Sequence, residues 1–316
     1  MSTPAISGAS AVARCDAVSV AAASGEAPAV SVAIIARRHI PELDALVNAL
    51  LHIEGPEARE IVIGLETAGA GRSAETVDSR GVRWIALPPK RGIGYNRQRV
   101  LEAVRGAILI GVDDDCMPQP GWLTALVSAL ADPAVHAAVG NIRIPPAGFI
   151  GDSISALGFP AGGSAGYATM FRVAADGTTD NIAAGNCALR VSTLRELGGW
   201  DESMSYGGED TELAHRFKLA GRRIVFVAAA EIVHPARTSV SELTRWLYVR
   251  GRAKRQFSRK VAINGYVSAR LVSYGKIVRA NLYDPKIVVI LPLLAASILI
   301  QQAGFLAETL SARRRP

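Results

Sequence analysis

The sequence predicts an α/β fold in which a mixed, mostly parallel sheet is flanked by helices. Short apolar runs rich in β-branched residues, typical of buried strands, alternate with segments whose apolar residues recur at helical spacing. Strands that alternate with helices usually pair in parallel, because each helix crosses over one face of the sheet. The 316 residues are enough for one large domain with appended segments.

The first half of the chain carries this alternation most clearly. A helix is predicted over residues 41–51, because Pro41 is tolerated in a first turn and the apolar residues after it recur at spacings of three and four. A second helix is predicted over 96–104, and a Gly-rich loop over 67–72. The runs that predict strands are 29–36, 60–65, 82–87 and 107–112.

The second half is less regular. Residues 145–185 contain many Gly and Ala and are predicted to be mostly loop. Helices are predicted over 192–197 and 211–220, each of which is ended by a following glycine. The runs that predict strands here are 137–144, 186–191 and 223–228.

Charge and cysteine content narrow the classes of function. A net charge of +7 indicates an anionic partner, such as a nucleotide, a nucleic acid or a membrane lipid. The three cysteines are far apart and form neither a disulfide framework nor a paired metal motif, which favours a reducing, cytosolic setting. Residues 1–28 lack a basic segment followed by an apolar core, so we expect a disordered leader and no signal peptide.

Three consecutive carboxylates follow the apolar run 107–112. Asp113, Asp114 and Asp115 come at the carboxyl end of a predicted strand, which is where open α/β sheets bind ligands. Carboxylates at that place suit a hard divalent cation that also holds phosphate oxygens. The alternative is that one of them caps the helix predicted after Pro120, although a cap needs only one acid.

Two later features point to the same edge of the sheet. Glu209 and Asp210 follow two glycines at the start of a predicted helix, where the helix dipole explains one acid but not the open backbone before the pair. His234 follows the last predicted strand. It is either a structural histidine or, facing the crevice of Asp115, a nitrogen ligand in a mixed site for Mn²⁺ or Mg²⁺.

The order of these parts resembles the family 2 glycosyltransferases, whose fold is named GT-A. The resemblance covers roughly residues 29–260, and it depends on the joint order and spacing of short motifs that are weak singly. The motifs are 30–36, 90–97 (K-R-G-I-G-Y-N-R), 112–115, 185–190, 197–202, 207–213 (G-G-E-D-T-E-L) and 233–234.

The resemblance implies an inverting transfer of a sugar from a nucleotide-diphosphate donor to a hydroxyl of a glycan or lipid-linked acceptor. Asp210 would be the general base that removes a proton from the acceptor hydroxyl. Asp115 would bind the metal, and Asp113 would reach the donor's ribose or a metal-bound water. By group, the implied residues are Asp115, Asp113 and His234 for Mn²⁺ or Mg²⁺; Asp113, Asp114, Glu66, Lys90, Arg91 and Arg97 for the donor; and Trp200, Asp201 and Glu209, which would shape the acceptor pocket.

Two positions depart from the family's pattern. Glu66 lies where the second strand usually ends in an Asp that contacts the nucleobase. The segment 96–98 (N-R-Q) replaces the usual Ala-Arg-Asn of the glycine turn, which leaves open which of Lys90, Arg91 and Arg97 holds the diphosphate.

The C-terminal segments predict membrane attachment. Residues 245–260 carry seven positive charges and no negative one, interleaved with aromatics; no recognised nucleic-acid module accompanies them, so an anionic membrane surface is favoured over nucleic acid. Residues 287–306 are uncharged and reach the minimum length for a membrane span, so spanning, re-entrant and surface-lying arrangements are all open. The basic cluster orients the catalytic domain to the cytoplasmic face. The expected organisation is a leader (1–28), a GT-A catalytic domain (29–240) with a nucleotide-binding half (29–115) and an acceptor half (116–240), a basic helical segment (241–285) and an apolar tail (286–316).

Two other functions, and a processive form of the reaction, agree with parts of the sequence. A nucleotidyltransferase would use the same metal, but it should carry a Gly-rich phosphate loop after the first strand, where this chain has residues 37–41 (R-R-H-I-P). A non-catalytic, membrane-attached nucleotide-sugar-binding protein is supported only by the departures at Glu66 and Gln98. Residues 242–246 (E-L-T-R-W) resemble imperfectly the Gln-x-x-Arg-Trp of processive polysaccharide synthases, so processive and single addition both remain open.

Overall fold

The computed structural model describes residues 29–57, 59–67, 75–160, 172–261 and 266–313. The predicted leader, residues 1–28, lies outside the described residues. The strands are β1 (Val30–Ala36), β2 (Arg59–Glu66), β3 (Glu75–Val77), β4 (Arg83–Leu87), β5 (Ile108–Asp113), β6 (Met117–Pro118), β7 (Val135–Arg143), β8 (Asn186–Arg190) and β9 (Arg223–Val233). The helices are α1 (Pro41–His52), α2 (Ile93–Ala103), α3 (Trp122–Ala129), α4 (Gly148–Ser155), α5 (Val191–Glu196), α6 (Glu209–Leu219), α7 (Val240–Phe257), α8 (Tyr266–Ala280) and α9 (Ile287–Arg313).

The strands form one mixed sheet in the order β3-β4-β2-β1-β5-β8-β7-β9-β6. Strands β4, β2, β1 and β5 run parallel to one another, whereas β8 is antiparallel to both β5 and β7. Strand β9 is parallel to β7. The prediction of an α/β fold with a mixed sheet flanked by helices is therefore confirmed.

The sheet has a hydrophobic core on each face. Alternate side chains of β1 divide between the two faces, because successive residues of a strand point in opposite directions. Val32 and Ile34 pack with α1 and α3 in one core, whereas Ala33 contributes to the other core with α2, α5 and α6. Both faces are thus covered, and ligands have access only at the edges and at the strand ends.

The carboxyl ends of the parallel strands meet at one edge. Ile35 of β1 is level with Asp113 of β5, and Ala36 is level with Leu65 of β2. This register places Glu66 and Asp113 at the same edge of the sheet, on opposite sides of β1.

A buried asparagine joins the second half of the sheet to α3. The Asn186 side-chain amide donates to the backbone oxygens of Asn141 (2.8 Å) and Ala230 (3.0 Å). Its Oδ1 accepts a hydrogen bond from the indole Nε1 of Trp122 at 2.7 Å. Strands β7, β8 and β9 and helix α3 therefore share one polar contact inside the core.

The structure differs from the prediction in several elements. The sequence does not predict strand β3, because its three residues are exposed and contain a single apolar side chain, that of Val77. Helix α4 lies within the segment 145–185 that was predicted to be mostly loop. Strand β9 continues to Val233, five residues beyond the predicted end, because residues 231–233 pair with β7 after a bulge at the three alanines 228–230.

The C-terminal helices pack against the domain and each other. Leu243 and Leu247 of α7 join Ile154 of α4 in a small core against which Leu293 and Ile300 of α9 pack. Helix α9 is the one helix among the described residues that is long and apolar enough to cross a membrane, and 22% of its most apolar stretch is buried.

Candidate active site

The three carboxylates at the end of β5 do not act as helix caps. Asp113 is the last residue of β5, and Asp114 and Asp115 lie in the turn that follows. Helix α3 begins after Gly121, and no side chain caps it. Asp113 lies against Gly185, where an added Cβ would come within 2.0 Å of Asp113 Oδ2, so the backbone approaches this carboxylate as closely as only glycine allows.

Asp115 and His234 lie together beside the turn. Their atoms Oδ1 and Nε2 are 3.5 Å apart, and the two side chains are 14% and 9% exposed. The short pairing of β6 with β9 brings them together, because Met117 pairs with Val233, the neighbour of His234. Cys116 also lies here, and the ligand atoms of the three residues are all within 4.8 Å of one another.

The chemistry of this group suits a divalent cation bound through oxygen and nitrogen. His234 Nδ1 is 3.0 Å from the carbonyl oxygen of Pro235; a proton donated there leaves Nε2 with a lone pair directed at Asp115. Burial and the neighbouring carboxylates raise the pKa of the Cys116 thiol far above its usual range, and a hard cation prefers oxygen and nitrogen ligands to sulfur. A carboxylate and an imidazole without a thiolate fit Mn²⁺ or Mg²⁺.

An arginine reaches the same carboxylate from beyond β9. Arg237 Nη2 contacts Asp115 Oδ2 in an ion pair whose arginine side chain is 37% exposed. One oxygen of Asp115 thus faces His234 and the other carries the guanidinium. Sequence reasoning did not identify Arg237; the only signal was a basic residue three positions after His234.

Asp114 is the most perturbed of the three carboxylates. Burial, together with the neighbouring charges of Asp115 and Asp113, raises the pKa of Asp114 to about 7. Two like charges beside a partly buried carboxyl favour its neutral form, and a cation bound nearby would reverse this.

Arg97 links the end of β5 to the start of α6. Its Nε donates to Glu209 Oε1 at 2.9 Å, and its Nη2 lies 3.5 Å from Asp113 Oδ1. Glu209 is 4% exposed, and its second oxygen is buried without a hydrogen-bond partner in the described part of the chain. Burial, together with the Asp210 carboxylate, raises the pKa of Glu209 to about 7, and Arg97 opposes this shift. Buried Arg97 therefore connects Asp113 at the end of β5 to Glu209 at the start of α6.

Asp210 is the second residue of α6 and is only partly buried. Its Oδ1 accepts hydrogen bonds from the backbone N–H (2.7 Å) and the hydroxyl (3.3 Å) of Thr211. Gly207 and Gly208 precede the helix with φ of 103° and 84°, a backbone that other residues rarely adopt. The tight turn presents the carboxylate at the helix N-terminus, close enough to Arg97 for the two charges to interact.

Trp200 packs against Arg97, and the neighbouring Asp201 pairs with a lysine that follows α7. The Trp200 ring is 4% exposed and lies under Arg97, whose Cζ is 5.5 Å from the ring centroid. Asp201 forms an ion pair with Lys260 at 2.5 Å, which ties the turn to the segment after α7. These contacts shape the site through packing and charge.

Glu66 and the basic turn form a third group. Glu66 accepts a hydrogen bond from Asn96 Nδ2 at 2.9 Å, and the backbone N–H of Lys90 is 3.5 Å from its other oxygen. Lys90 has φ of 64°, and both Lys90 and Arg91 are exposed. Arg91 lies over the ring of Tyr95 at 4.6 Å.

The predicted residues thus fall into groups that the structure holds by contact. Asp113, Arg97 and Glu209 form one group, with Asp210 beside it, and Asp115 with His234 forms the second. Glu66 contacts the turn that carries Lys90. Lys90 and Arg91 extend from this turn into solvent.

Comparison with known proteins gives one family and several relatives. The family model described as "Glycosyl transferase family 2" matches residues 31–198. "Pre-mycofactocin glycosyltransferase" of Mycobacterium tuberculosis (strain H37Rv) is 25% identical over 224 residues, which are 67% of this chain and 44% of that protein. "Probable glycosyltransferase YdaM" of Bacillus subtilis (strain 168) is 27% identical over 220 residues, 65% of this chain and 50% of that protein. The chain spans about half the length of the curated relatives it matches.

Solved structures share the fold. A mannosyltransferase from Pyrobaculum calidifontis, PcManGT, solved with GDP-Man and Mn²⁺, has a TM-score of 0.58, 16% identity and 88% coverage of both chains. GalNAc-T7, solved with UDP, GalNAc and Mn²⁺, has a TM-score of 0.53 and 15% identity, covering 83% of this chain and 58% of that one. At these identities the likeness establishes the fold alone.

Proposed function

The chain belongs to glycosyl transferase family 2, whose model matches more than half of it, and on this premise we propose that it transfers a sugar from a nucleotide-diphosphate donor to a hydroxyl group. The acceptor in this proposal is a glycan or a lipid-linked saccharide, and the transfer inverts the anomeric carbon. One observation carries the proposal. The acids at the end of β5, the acids at the start of α6 and the histidine after β9 face one edge of the sheet and are linked by Arg97 and by the Asp115–His234 contact.

Asp115 and His234 are the residues that would hold a divalent cation, Mn²⁺ or Mg²⁺. The direction of the His234 lone pair and the protonated thiol beside it support this ligand set. A cation bound there would neutralise the diphosphate of the departing nucleotide. Arg237, which shares the Asp115 carboxylate, would turn to the diphosphate when the cation takes its place.

The donor would lie across the carboxyl ends of β2, β1 and β5. Glu66 ends β2, the place where a nucleobase would be contacted, and its contacts with Asn96 and Lys90 hold it at that edge. Asp113 would accept hydrogen bonds from the ribose, with Asp114 beside it. Arg91 and Lys90 are exposed cations within reach of phosphate oxygens from the turn before α2.

Asp210 is the proposed general base. It would take the proton of the acceptor hydroxyl as that oxygen attacks the anomeric carbon and the bond to the diphosphate oxygen breaks. Partial exposure at the N-terminus of α6 leaves the carboxylate accessible to an acceptor, whereas its neighbour Glu209 is buried. Glu209, Trp200 and Asp201 would shape the acceptor pocket indirectly, by fixing Arg97 and the turn around 201.

The division of labour along the chain is part of the proposal. Residues 29–115 would bind the nucleotide and residues 116–240 the acceptor, with the segments 241–285 and 286–316 attaching the domain to the cytoplasmic face of a membrane. The apolar α9 and the basic α7 support this attachment. Single addition is favoured over processive synthesis, because α9 is the one candidate span among the described residues.

A panel of nucleotide sugars tests the function directly. The purified chain is incubated with GDP-, UDP- and dTDP-sugars and Mn²⁺, and release of the nucleoside diphosphate is measured with and without acceptor extracts. We expect metal-dependent release from one donor class even without acceptor, because active transferases leak sugar to water. Tight donor binding without release from any donor in the panel would favour a non-catalytic binding protein.

A further inference from the structure

The surface of α9 that faces away from the domain is an apolar stripe interrupted by one polar residue, Gln302. Its exposed residues recur at spacings of three and four from Val288 to Leu310, a distance of about 33 Å at 1.5 Å per residue. Leu299 is 73% exposed and Leu306 is 52% exposed. The large apolar side chains on this stripe are Val288, Leu291, Ile298, Leu299, Leu306 and Leu310.

The opposite surface of α9 is fixed to α7 along most of its length. Gly304 lies against the backbone of Tyr248, where a Cβ would approach the carbonyl oxygen to 2.0 Å, and Gly251 lies equally close to Gln301. Such contacts require two helix backbones to touch, which small residues permit. The two helices run in the same direction: the start of α7 packs with Leu293 and Ile300, whereas Arg252 and Arg255 near its end contact Glu308 and Thr309.

A buried ion pair adds to this attachment. Glu308 is 2% exposed, and its Oε2 accepts hydrogen bonds from Arg252 at 2.7 and 3.0 Å. Ser297, also buried, lies 3.0 Å from the hydroxyl of Tyr274 on α8. The inner surface of α9 is therefore held by specific polar contacts, whereas the outer surface is apolar except at Gln302.

These contacts determine how α9 can meet a bilayer. Helix α7 places Arg252, Lys254 and Arg255 against Phe305, Glu308 and Thr309 of α9, and it carries Arg245 and Arg250 in its preceding turns. A spanning α9 would either carry these cations into the membrane or leave Glu308 buried without Arg252, and both are strongly unfavourable. A helix lying in the interface keeps every one of these contacts and buries only the outer stripe.

The positive charge of the C-terminal segment favours an anionic bilayer over a second copy of the chain as the partner that covers the stripe. Residues 262–316 contain seven basic residues and two acidic ones, and both acids are paired, Asp284 with Lys286 and Glu308 with Arg252. Tyr283, 96% exposed, and the exposed Leu282 stand at the N-terminal end of α9, where an amphipathic ring suits a headgroup region. A second copy would bring the same positive charge against itself, whereas an anionic bilayer complements it.

We propose that α9 is an in-plane membrane anchor whose outer stripe, Val288 to Leu310, inserts into the surface of an anionic lipid bilayer while its inner surface stays on α7. This proposal rests on the membrane attachment proposed above and is independent of the transfer reaction. It selects the surface-lying arrangement from those that the sequence leaves open.

Vesicle flotation of the full chain tests the anchor. We expect binding to vesicles of phosphatidylcholine with phosphatidylglycerol, weaker binding to phosphatidylcholine alone, and partial release by salt. The double variant Leu299→Glu, Leu306→Glu should bind the anionic vesicles at least tenfold more weakly. Leu219→Glu, a matched change at a leucine that is 74% exposed on the catalytic domain, should bind as the wild type does.

A topology measurement separates an in-plane helix from a span. A cysteine introduced by Ser311→Cys should react with a membrane-impermeant maleimide added outside sealed vesicles, with the parent chain giving the background. Protection of this cysteine until detergent is added would overturn the proposal, as would equal vesicle binding by the double variant. Lipid-free dimerisation that the double variant abolishes would also overturn it, because a second copy would then cover the stripe. Equal binding of the wild type to anionic and neutral vesicles would also contradict the proposal. Nucleoside diphosphate release is measured in parallel, so that a failure of the transfer reaction is distinguished from a failure of the anchor.

Discussion

At the scale of single residues, Asp210 is the position on which turnover should depend most. Asp210→Asn preserves the shape of the side chain and its hydrogen bonds to Thr211 but removes the proton acceptor. We expect donor binding to be retained and turnover to fall roughly 10²–10⁴-fold, the range of a general base. The measurement is steady-state transfer with donor affinity determined separately.

The control for this variant is Asp180→Asn, at an exposed carboxylate paired with Lys218 on the surface. It should leave turnover unchanged. Near-normal turnover in Asp210→Asn would remove Asp210 from the role of base.

Arg237 supplies a second residue-scale prediction. Its guanidinium holds one oxygen of Asp115, so a cation must displace it to use that oxygen. Arg237→Ala should tighten Mn²⁺ binding in the absence of donor about fivefold, which corresponds to the roughly 1 kcal/mol of a partly exposed ion pair. Titration of Mn²⁺ by electron paramagnetic resonance measures this.

Arg80→Ala is the matched control, because Arg80 is similarly exposed and pairs with Asp78 at 2.8 Å in the turn before β4. It should not change the affinity. Weaker Mn²⁺ binding in Arg237→Ala would mean that Arg237 orients Asp115 for the cation and does not compete with it.

Asp114 makes cation binding depend on pH. Its pKa of about 7 means that the carboxyl is largely protonated at pH 6, and a cation nearby favours its ionised form. Binding therefore releases a proton below pH 7, and the apparent affinity for Mn²⁺ should rise between pH 6 and pH 8. Asp114→Asn should flatten this rise, as measured by calorimetry in buffers of different ionisation enthalpy; an unchanged slope would assign the proton to another group.

At the scale of elements, Asn186 holds three strands and one helix together. Asn186→Ala would leave the Trp122 indole N–H and the carbonyl oxygens of Asn141 and Ala230 buried without their partner. We expect the free energy of unfolding to fall by about 3 kcal/mol, since each unsatisfied buried group costs about 1–3 kcal/mol. Urea denaturation measures this loss.

Asn48→Ala is the comparison, because the Asn48 side chain is exposed and its contact with Arg80 is 3.4 Å long. It should cost less than about 0.5 kcal/mol. A similar, small loss for Asn186→Ala would show that the core rearranges around the missing amide.

The strands that could be predicted are those whose own residues show a hydrophobic pattern. β1, β2 and β5 are buried on both faces over most of their length and consist mainly of apolar residues. β3 has no such pattern, because its residues are exposed and it exists only through pairing with β4. The end of β9 is likewise set by β7, since three alanines favour no strand on their own.

The residues of the candidate site likewise divide into those that the local sequence predicts and those that only the fold brings together. The acids 113–115 and 209–210 could be located because their residue types and their positions at strand and helix ends are unusual locally. The contact of Arg97 with Glu209 joins residues 112 positions apart, and that of Arg237 with Asp115 joins residues 122 apart. Pairings over such distances follow from the sheet order and were not visible in the sequence.

At the scale of the whole molecule, the candidate site lies at the junction between the parallel strands β4, β2, β1 and β5 and the strands that follow them in the chain. The parallel strands supply Glu66 and Asp113, and the turns after β6 and β9, with the start of α6, supply the remaining groups. Arg97 crosses this junction as a buried cation. The C-terminal helices complete the domain on its outer side, and Lys260 ties the end of α7 back to the turn at Asp201.

The central claim is that a cation held by Asp115 and His234 is required for sugar transfer. The most direct test is nucleoside diphosphate release by the purified chain, first in excess chelator and then after Mn²⁺ or Mg²⁺ is restored. We predict that release stops in chelator and returns with the metal in the wild type, and that Asp115→Asn needs a far higher Mn²⁺ concentration for the same recovery. Full activity in chelator would contradict the claim.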